Sequence, residues 1–223
     1  METLLLGIDD AGRGPLIGPM VLAGVLIDKE TETEFKEIGI KDSKQLTNKR
    51  REFFENIIKE KSKAYDLVVI HPKEIDETNA AGIKLNEVEA MAAAKIINTL
   101  NKGSKKIKVV LDCPSVSLVK WGDYLKTHIE NLSNLEVVCE HKADKNHISV
   151  SAGSIIAKQE RERQMDGLRK KYGEEMGSGY SSDPLTRKFL EKNIETHNDK
   201  GIFRKSWATW KEANRKRSQK KLF

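Results

Sequence analysis

Two apolar segments near the start of the chain, at 3–9 and 19–28, are separated only by a turn that contains Gly12, Gly14 and Pro15. Apolar runs of this length bounded by glycine and proline are typical of buried β-strands. We therefore predict two early strands that are neighbours along the chain, with a sheet at the centre of the fold.

The rest of the chain alternates between short apolar runs and longer helical patterns. This order predicts an α/β fold in which a mixed β-sheet is flanked by helices. The further strands are expected at 64–70, 106–112 and 135–140, and the helices between them at 48–60, 85–100 and 118–131. After residue 140 only helices are expected, at 149–172, 184–194 and 207–217. We expect one domain over 1–172 and a C-terminal helical extension with a basic tail over 173–223.

The net charge of +6 is concentrated at the end of the chain. Residues 200–223 hold nine lysines and arginines against one glutamate, a net charge of +8, which leaves −2 for the other 199 residues. Such a tail favours an anionic polymer as partner, because binding releases counterions. The two cysteines have no metal-ligand spacing, and neither a signal peptide nor a membrane span is predicted, so a cytoplasmic location is expected.

Four aspartates stand out by their positions relative to the predicted strands. Asp9, followed by Asp10, and Asp112 lie where apolar strands are predicted to end, and Asp144 precedes a helix that begins with small residues. Strand ends at one edge of an α/β sheet are common places for active sites. Clustered carboxylates repel one another unless a cation compensates them, and Mg²⁺ and Mn²⁺ prefer oxygen ligands. Two such ions could clamp a phosphodiester for hydrolysis.

Side chains that follow each other in a strand point to opposite faces. We therefore expect Asp9 and Asp10 to share one site only if the strand ends there and the turn lets one carboxylate come round its edge. The alternative for each aspartate is a purely structural role, as a helix cap, a turn residue or a solvated surface charge.

The glycine turn does not fit a dinucleotide-binding motif. Gly12, Gly14 and Gly18 have the spacing G-x-G-x-x-x-G, and Pro15 lacks an N–H group that could bind phosphate. The chain has no Walker A pattern either. We therefore interpret the turn as a surface of backbone groups and the Arg13 side chain, next to Asp9 and Asp10 in the sequence and suited to contact phosphate.

Together these motifs resemble the type 2 ribonuclease H family (ribonuclease HII) in its archaeal form. They occur in the family's order and extend over about residues 3–210. The segments that carry the resemblance are 7–15, 42–44, 111–112, 143–144, 150–158, 177–180, 183–184 and 204–207. The resemblance implies an RNase H-like fold with a helical extension. It also implies an enzyme that hydrolyses RNA in RNA–DNA hybrids and incises 5′ of single ribonucleotides in duplex DNA, leaving a 3′-hydroxyl and a 5′-phosphate.

The resemblance also implies roles for individual residues. The metal-binding and catalytic carboxylates would be Asp9, Asp10, Asp112 and Asp144, holding two Mg²⁺ or Mn²⁺ ions during catalysis. The residues that contact substrate would be Gly12, Arg13 and Gly14, which sense the ribose 2′-hydroxyl, Tyr180, which packs on the next deoxyribose, and Lys44 and Lys158, which contact phosphates. The implied setting is DNA replication and repair, and we expect a monomer.

Two positions depart from the family pattern. Asp10 stands where glutamate is usual, and Ser181 follows Tyr180 where proline is usual. The shorter Asp10 side chain leaves open a hybrid-binding protein with weakened catalysis, and another RNase H-like nuclease is a further alternative. The sequence at 219–223, Gln-Lys-Lys-Leu-Phe, is similar to part of a sliding-clamp-binding peptide, so a clamp is a possible partner.

Overall fold

The computed structural model describes residues 3–40 and 46–220, apart from the side chain of Lys220. Five strands form one sheet in the order β3-β2-β1-β4-β5. The strands are β1 (Leu4–Ala11), β2 (Met20–Ile27), β3 (Ala64–Ile70), β4 (Ile107–Asp112) and β5 (Leu135–Glu140). The central strand β1 is antiparallel to β2 and parallel to β4, which in turn is parallel to β5. The predicted mixed sheet is confirmed.

The described part of the chain contains nine α-helices. They are α1 (Lys29–Glu37), α2 (Asn48–Lys61), α3 (Pro72–Ala80), α4 (Leu85–Leu100), α5 (Leu118–Lys126), α6 (Ala143–Asn146), α7 (Ile148–Tyr172), α8 (Pro184–Asn193) and α9 (Ala208–Lys220). The sequence prediction missed α1, α3 and α6. All three are short and mostly charged or polar, so their apolar periodicity is weak. Helix α1 depends instead on Asp28, whose carboxylate caps it by accepting the Thr31 N–H.

The chain forms two compact units. The first consists of Met1–Ala11, Val21–Val68 and Asn86–Glu160, and the second of Gly12–Met20, Val69–Leu85 and Arg161–Phe223. The predicted C-terminal extension, 173–223, falls within the second unit, and the predicted boundary at residue 172 stays a prediction. None of the described helices is long and apolar enough to cross a bilayer.

Each unit has its own apolar interior. In the first, the strands bury Leu6, Ile8 and Val109, and α4 buries a row of alanines and isoleucines. In the second, Leu16 and Ile17 of the glycine turn pack with Phe189 and Phe203. The turn is therefore part of a core and not a loose connection.

Candidate active site

Strand β1 places Asp9 on the face of the sheet that α7 covers. A Cβ atom on Gly7 would lie 2.1 Å from the backbone carbon of Ser149, so β1 and α7 meet backbone to backbone at this glycine. Asp9 lies two residues further on and shares that face. Its carboxylate accepts hydrogen bonds from the Ser154 side chain and, at 2.8 Å, from the Asp10 N–H. The close approach of strand and helix thus fixes the Asp9 carboxylate.

The Asp9 carboxyl group is buried and surrounded by like charge. Its pKa is raised from an ordinary 3.8 to about 7, first by burial and then by the neighbouring Asp10 and Asp112 carboxylates, while the two hydrogen bonds lower it. Ionising this group without a compensating cation is therefore costly. The site has the electrostatic character of one that receives positive charge.

Asp10 projects to the opposite face, toward α4. The expectation that the strand ends at Asp9 is wrong: β1 continues to Ala11, and Asp10 pairs with Leu22 of β2. Asp9 and Asp10 therefore approach the site from the two faces of one strand. Both line a small cavity with Asp112 and with Glu89, a buried glutamate of α4 that the sequence analysis did not single out.

Asp112 and Asp144 are connected through the start of α6. Asp112 ends β4, as predicted, and its Oδ1 accepts the Ala143 N–H at 3.0 Å. Asp144 is the next residue and is buried. Its carbonyl accepts the Ser151 hydroxyl at 2.6 Å, which joins α6 to α7. The structure therefore brings Asp9, Asp10 and Asp112 into electrostatic contact. Asp144 directly follows Ala143, whose N–H group donates to Asp112.

The donor set fits a divalent cation by its chemistry. The Asp10 and Asp112 carboxylates raise the pKa of Asp9, and a hard cation would relieve this repulsion. Carboxylate oxygens are the ligands that Mg²⁺ and Mn²⁺ prefer. Among the described residues, however, no three carboxylate, imidazole or thiol groups already converge as a ligand cluster. The side chains would therefore have to adjust on binding.

The turn that follows β1 is held by a buried arginine. Gly12 has a φ of +83°, which a residue with a side chain rarely adopts. The guanidinium of Arg204 donates to the carbonyls of Gly12 and Arg13, both at 2.6 Å, and to that of Gly18 at 2.9 Å. The indole N–H of Trp207 donates to the Gly14 carbonyl at 3.1 Å. These bonds fix the backbone carbonyls of the turn from the side of the segment 204–207.

Tyr180 lies over this turn. Its ring is 3.8 Å from where a Cβ atom of Gly14 would be, and it is 41% exposed. The carbonyl of Gly179 accepts the N–H groups of Leu16 and Ile17 at 2.8 and 3.1 Å. The predicted substrate contacts Gly12, Arg13, Gly14 and Tyr180 thus form one continuous surface in the second unit.

The two predicted lysine contacts differ in what can be described. Lys158 is half-buried on α7, one turn after Ser154 and on the same side of the helix. Lys44 lies outside the described residues.

The family of the chain is decided by its sequence profile. Residues 6–210 match the profile of the family described as Ribonuclease HII. The chain belongs to the ribonuclease HII family. It is 42% identical to the ribonuclease HII of Methanobrevibacter smithii over 207 residues, which cover 92% of this chain and 95% of that protein.

Solved structures agree with this membership. The ribonuclease H2 of Pyrococcus horikoshii superposes with a TM-score of 0.86 at 36% identity, covering 96% of this chain and 98% of that one. The ribonuclease HII in a PCNA complex from Archaeoglobus fulgidus has a TM-score of 0.79 at 36% identity, with 92% and 95% covered. The fold is RNase H-like, as expected. As a ribonuclease HII, the protein is a metal-dependent endonuclease that hydrolyses RNA in RNA–DNA hybrids.

Several residues of the site have no recognisable sequence signal. Ser154 and Arg204 lie in segments that carry the family resemblance, but nothing in the sequence shows what they contact. In the sequence, Glu89 lies within an apolar helical pattern and gives no sign of a site. Arg161 is one of many charged residues in the polar half of α7. Their partners become visible only in the folded chain.

Proposed function

We propose that this ribonuclease HII uses two divalent ions to incise duplex DNA 5′ of a single embedded ribonucleotide, as well as to cleave RNA in hybrids. The products would be a 3′-hydroxyl and a 5′-phosphate. The observation that carries the proposal is the buried Asp9 carboxyl group, whose pKa is raised to about 7 by burial and by Asp10 and Asp112.

The four aspartates divide the work of holding the ions. Asp9, which is influenced by the charges of both Asp10 and Asp112, would hold the ions together with these two carboxylates, and Asp144 would complete the set. When bound, Mg²⁺ or Mn²⁺ activates a water and stabilises the leaving oxygen of the phosphodiester. Hydrogen bonds from Ser154 and from the Asp10 N–H hold the Asp9 carboxylate in place. One carboxylate oxygen of Asp112 accepts the Ala143 N–H.

The second unit would read the sugar. The 2′-hydroxyl is the chemical difference between RNA and DNA, and it needs a donor or acceptor held at a fixed position. Gly12, Arg13 and Gly14 offer such groups on a rigid turn. Tyr180 would pack on the following deoxyribose, and Lys44 and Lys158 would contact phosphates.

The test is incision of an end-labelled DNA duplex that contains one ribonucleotide, with Mg²⁺, with Mn²⁺ and with chelator. We expect one cut 5′ of the ribonucleotide that is lost in chelator. Tight binding without a cut would support the hybrid-binding alternative. Cleavage of a branched all-DNA substrate instead would support another RNase H-like nuclease.

Replacing Tyr180 tests the sugar-reading surface. We expect Tyr180→Ala to lower kcat/KM for the single-ribonucleotide duplex about tenfold, because a ring that packs on the nucleic acid is worth 1–3 kcal/mol. Tyr180→Phe, which keeps the ring, is the control and should retain most activity. Full activity of Tyr180→Ala would remove this residue from the interface.

Replacing Asp10 tests the departure from the family pattern. A glutamate reaches one methylene further, and small misplacements in a catalytic site are costly, so we expect Asp10→Glu to raise kcat about tenfold in Mg²⁺. Asp10→Asn keeps the length but removes the charge, and it should lower kcat. If Asp10→Glu leaves kcat unchanged or reduces it, the surrounding residues already accommodate the shorter side chain.

The proposed setting is the cytoplasm, where the protein acts as a monomer in replication and repair. A sliding clamp is a proposed partner through the end of the chain. Support comes from the sequence at 219–223 and from the Archaeoglobus fulgidus structure, whose ribonuclease HII is in a complex with PCNA. Residues 221–223 lie outside the described part of the chain.

A further inference from the structure

Two buried arginines of the second unit surround the sugar-reading turn. Arg204 is fully buried, although a guanidinium is among the costliest groups to remove from water. Four hydrogen bonds run from its guanidinium to backbone carbonyls of the turn, those of Gly12, Arg13 and Gly18. A fork of this kind fixes the positions of three peptide groups at once.

Arg161 holds the other side of the same turn. A Cβ atom on Gly12 would lie 2.4 Å from the Cδ and Nε atoms of Arg161, so the side chain passes directly against this glycine. Its Nη2 donates to the Ser178 carbonyl at 3.2 Å, and its guanidinium lies 5.4 Å from the centre of the Tyr180 ring. Arg161 therefore touches both the turn and the tyrosine loop.

Arg204 is itself held in place from α3. The carboxylate of Asp76 accepts the N–H groups of Lys205 and Ser206, both at 2.8 Å, and the Ser206 hydroxyl at 2.6 Å. These bonds fix the segment 204–207. Within it the Arg204 guanidinium also lies over the Trp207 ring, at 5.0 Å from its centre.

We infer that Arg161, Arg204 and Asp76 are positioning residues that hold the Gly12–Gly14 turn and Tyr180 as one rigid ribose-reading surface. None of the three needs to touch the substrate. They determine selectivity for an isolated ribonucleotide by fixing the distance between the turn, which meets the 2′-hydroxyl, and the ring, which meets the next sugar. The inference rests on the proposed function of that surface.

The selectivity consequence follows from the number of riboses that a substrate offers. An RNA–DNA hybrid has a 2′-hydroxyl at every position of one strand, so a slightly displaced surface still meets a ribose in another register. A single embedded ribonucleotide offers only one register. Loosening the surface should therefore lower cleavage of the single-ribonucleotide duplex more than cleavage of the hybrid.

The experiment compares kcat for these two substrates in Arg204→Lys, Arg161→Lys and Asp76→Asn. We expect the ratio of kcat for the single-ribonucleotide duplex to kcat for the hybrid to fall about tenfold in Arg204→Lys, with KM changed less, because phosphate contacts dominate binding. Arg161→Lys and Asp76→Asn should lower the ratio in the same direction. Arg51→Lys is the matched control, since this half-buried arginine of the first unit donates to the Leu46 carbonyl at 2.7 Å and to Asn48 Oδ1 at 2.8 Å, at the start of α2.

The ratio separates positioning from a loss of folded protein, which would lower both rates equally. An unchanged ratio in all three variants overturns the inference, whether or not the rates fall. If Arg204→Lys does not fold, Asp76→Asn and Arg161→Lys decide. Arg13→Ala and Tyr180→Ala test the proposed function separately: if these two also leave the ratio unchanged, the surface does not read ribose at all.

Discussion

Asp9→Asn is expected to abolish cleavage of both substrates while leaving the fold intact. The change keeps the size of the side chain and an oxygen that can accept the Asp10 N–H, but it removes the charge on which metal binding depends. Losing several kcal/mol of transition-state stabilisation corresponds to a fall of about a thousandfold in kcat. The measurement is single-turnover incision at saturating Mg²⁺. Retained activity would contradict the assignment of Asp9.

In chelator, the same variant is expected to be more stable than the wild type at high pH. Because the pKa of Asp9 is raised in the folded state, the folded protein holds this proton more tightly than the unfolded chain, and stability falls as the pH rises from about 4 to about 7. Above that range the buried charge costs up to about 4 kcal/mol. We therefore expect metal-free Asp9→Asn to unfold at higher urea than the wild type at pH 8, with a small difference at pH 4.

Gly7→Ala is expected to destabilise the protein severely. The added methyl group would lie 2.1–2.4 Å from backbone atoms of Ser149 and Val150, which cannot move without displacing α7 from β1. Overpacking against a backbone costs about 3 kcal/mol or more. Urea denaturation measures the loss, and failure to obtain folded protein is the extreme form of the same result.

Gly167→Ala, in the helix α7 against which Gly7 packs, is the matched control. Gly167 is exposed and has no atom within 4 Å of the added carbon. Alanine is the better helix former, so this variant should be more stable by about 0.5–1 kcal/mol. Equal stability of Gly7→Ala and the wild type would mean that strand and helix are not in backbone contact.

Sequence reasoning located the regular elements well where apolar periodicity is strong. The strands Ala64–Ile70 and Leu135–Glu140 and the helix Leu85–Leu100 lie where the sequence predicted them. It failed at the end of β1, because pairing of Asp10 with Leu22 extends the strand beyond its apolar residues. That pairing is a tertiary contact without a local signal.

For the candidate site, the sequence allowed the aspartates to be singled out, but it did not show which residues position the site. Asp112 ends its strand as predicted, since the apolar run and the strand stop together. The contacts of Arg204 could not be predicted, because its partners are backbone carbonyl groups 186–192 residues away. Every residue has a backbone carbonyl, so the sequence does not show which of them Arg204 binds. The same holds for Asp76, which bonds mainly to N–H groups.

The bonds from Arg204 to the glycine turn also set an order of events during synthesis. Residue 204 is synthesised about 190 residues after the turn. At about 5–20 residues per second, roughly 10–40 s separate the two. During this interval the nascent chain carries Asp9, Asp10 and the turn without Arg204, so it cannot yet complete the surface that we propose to contact the ribose.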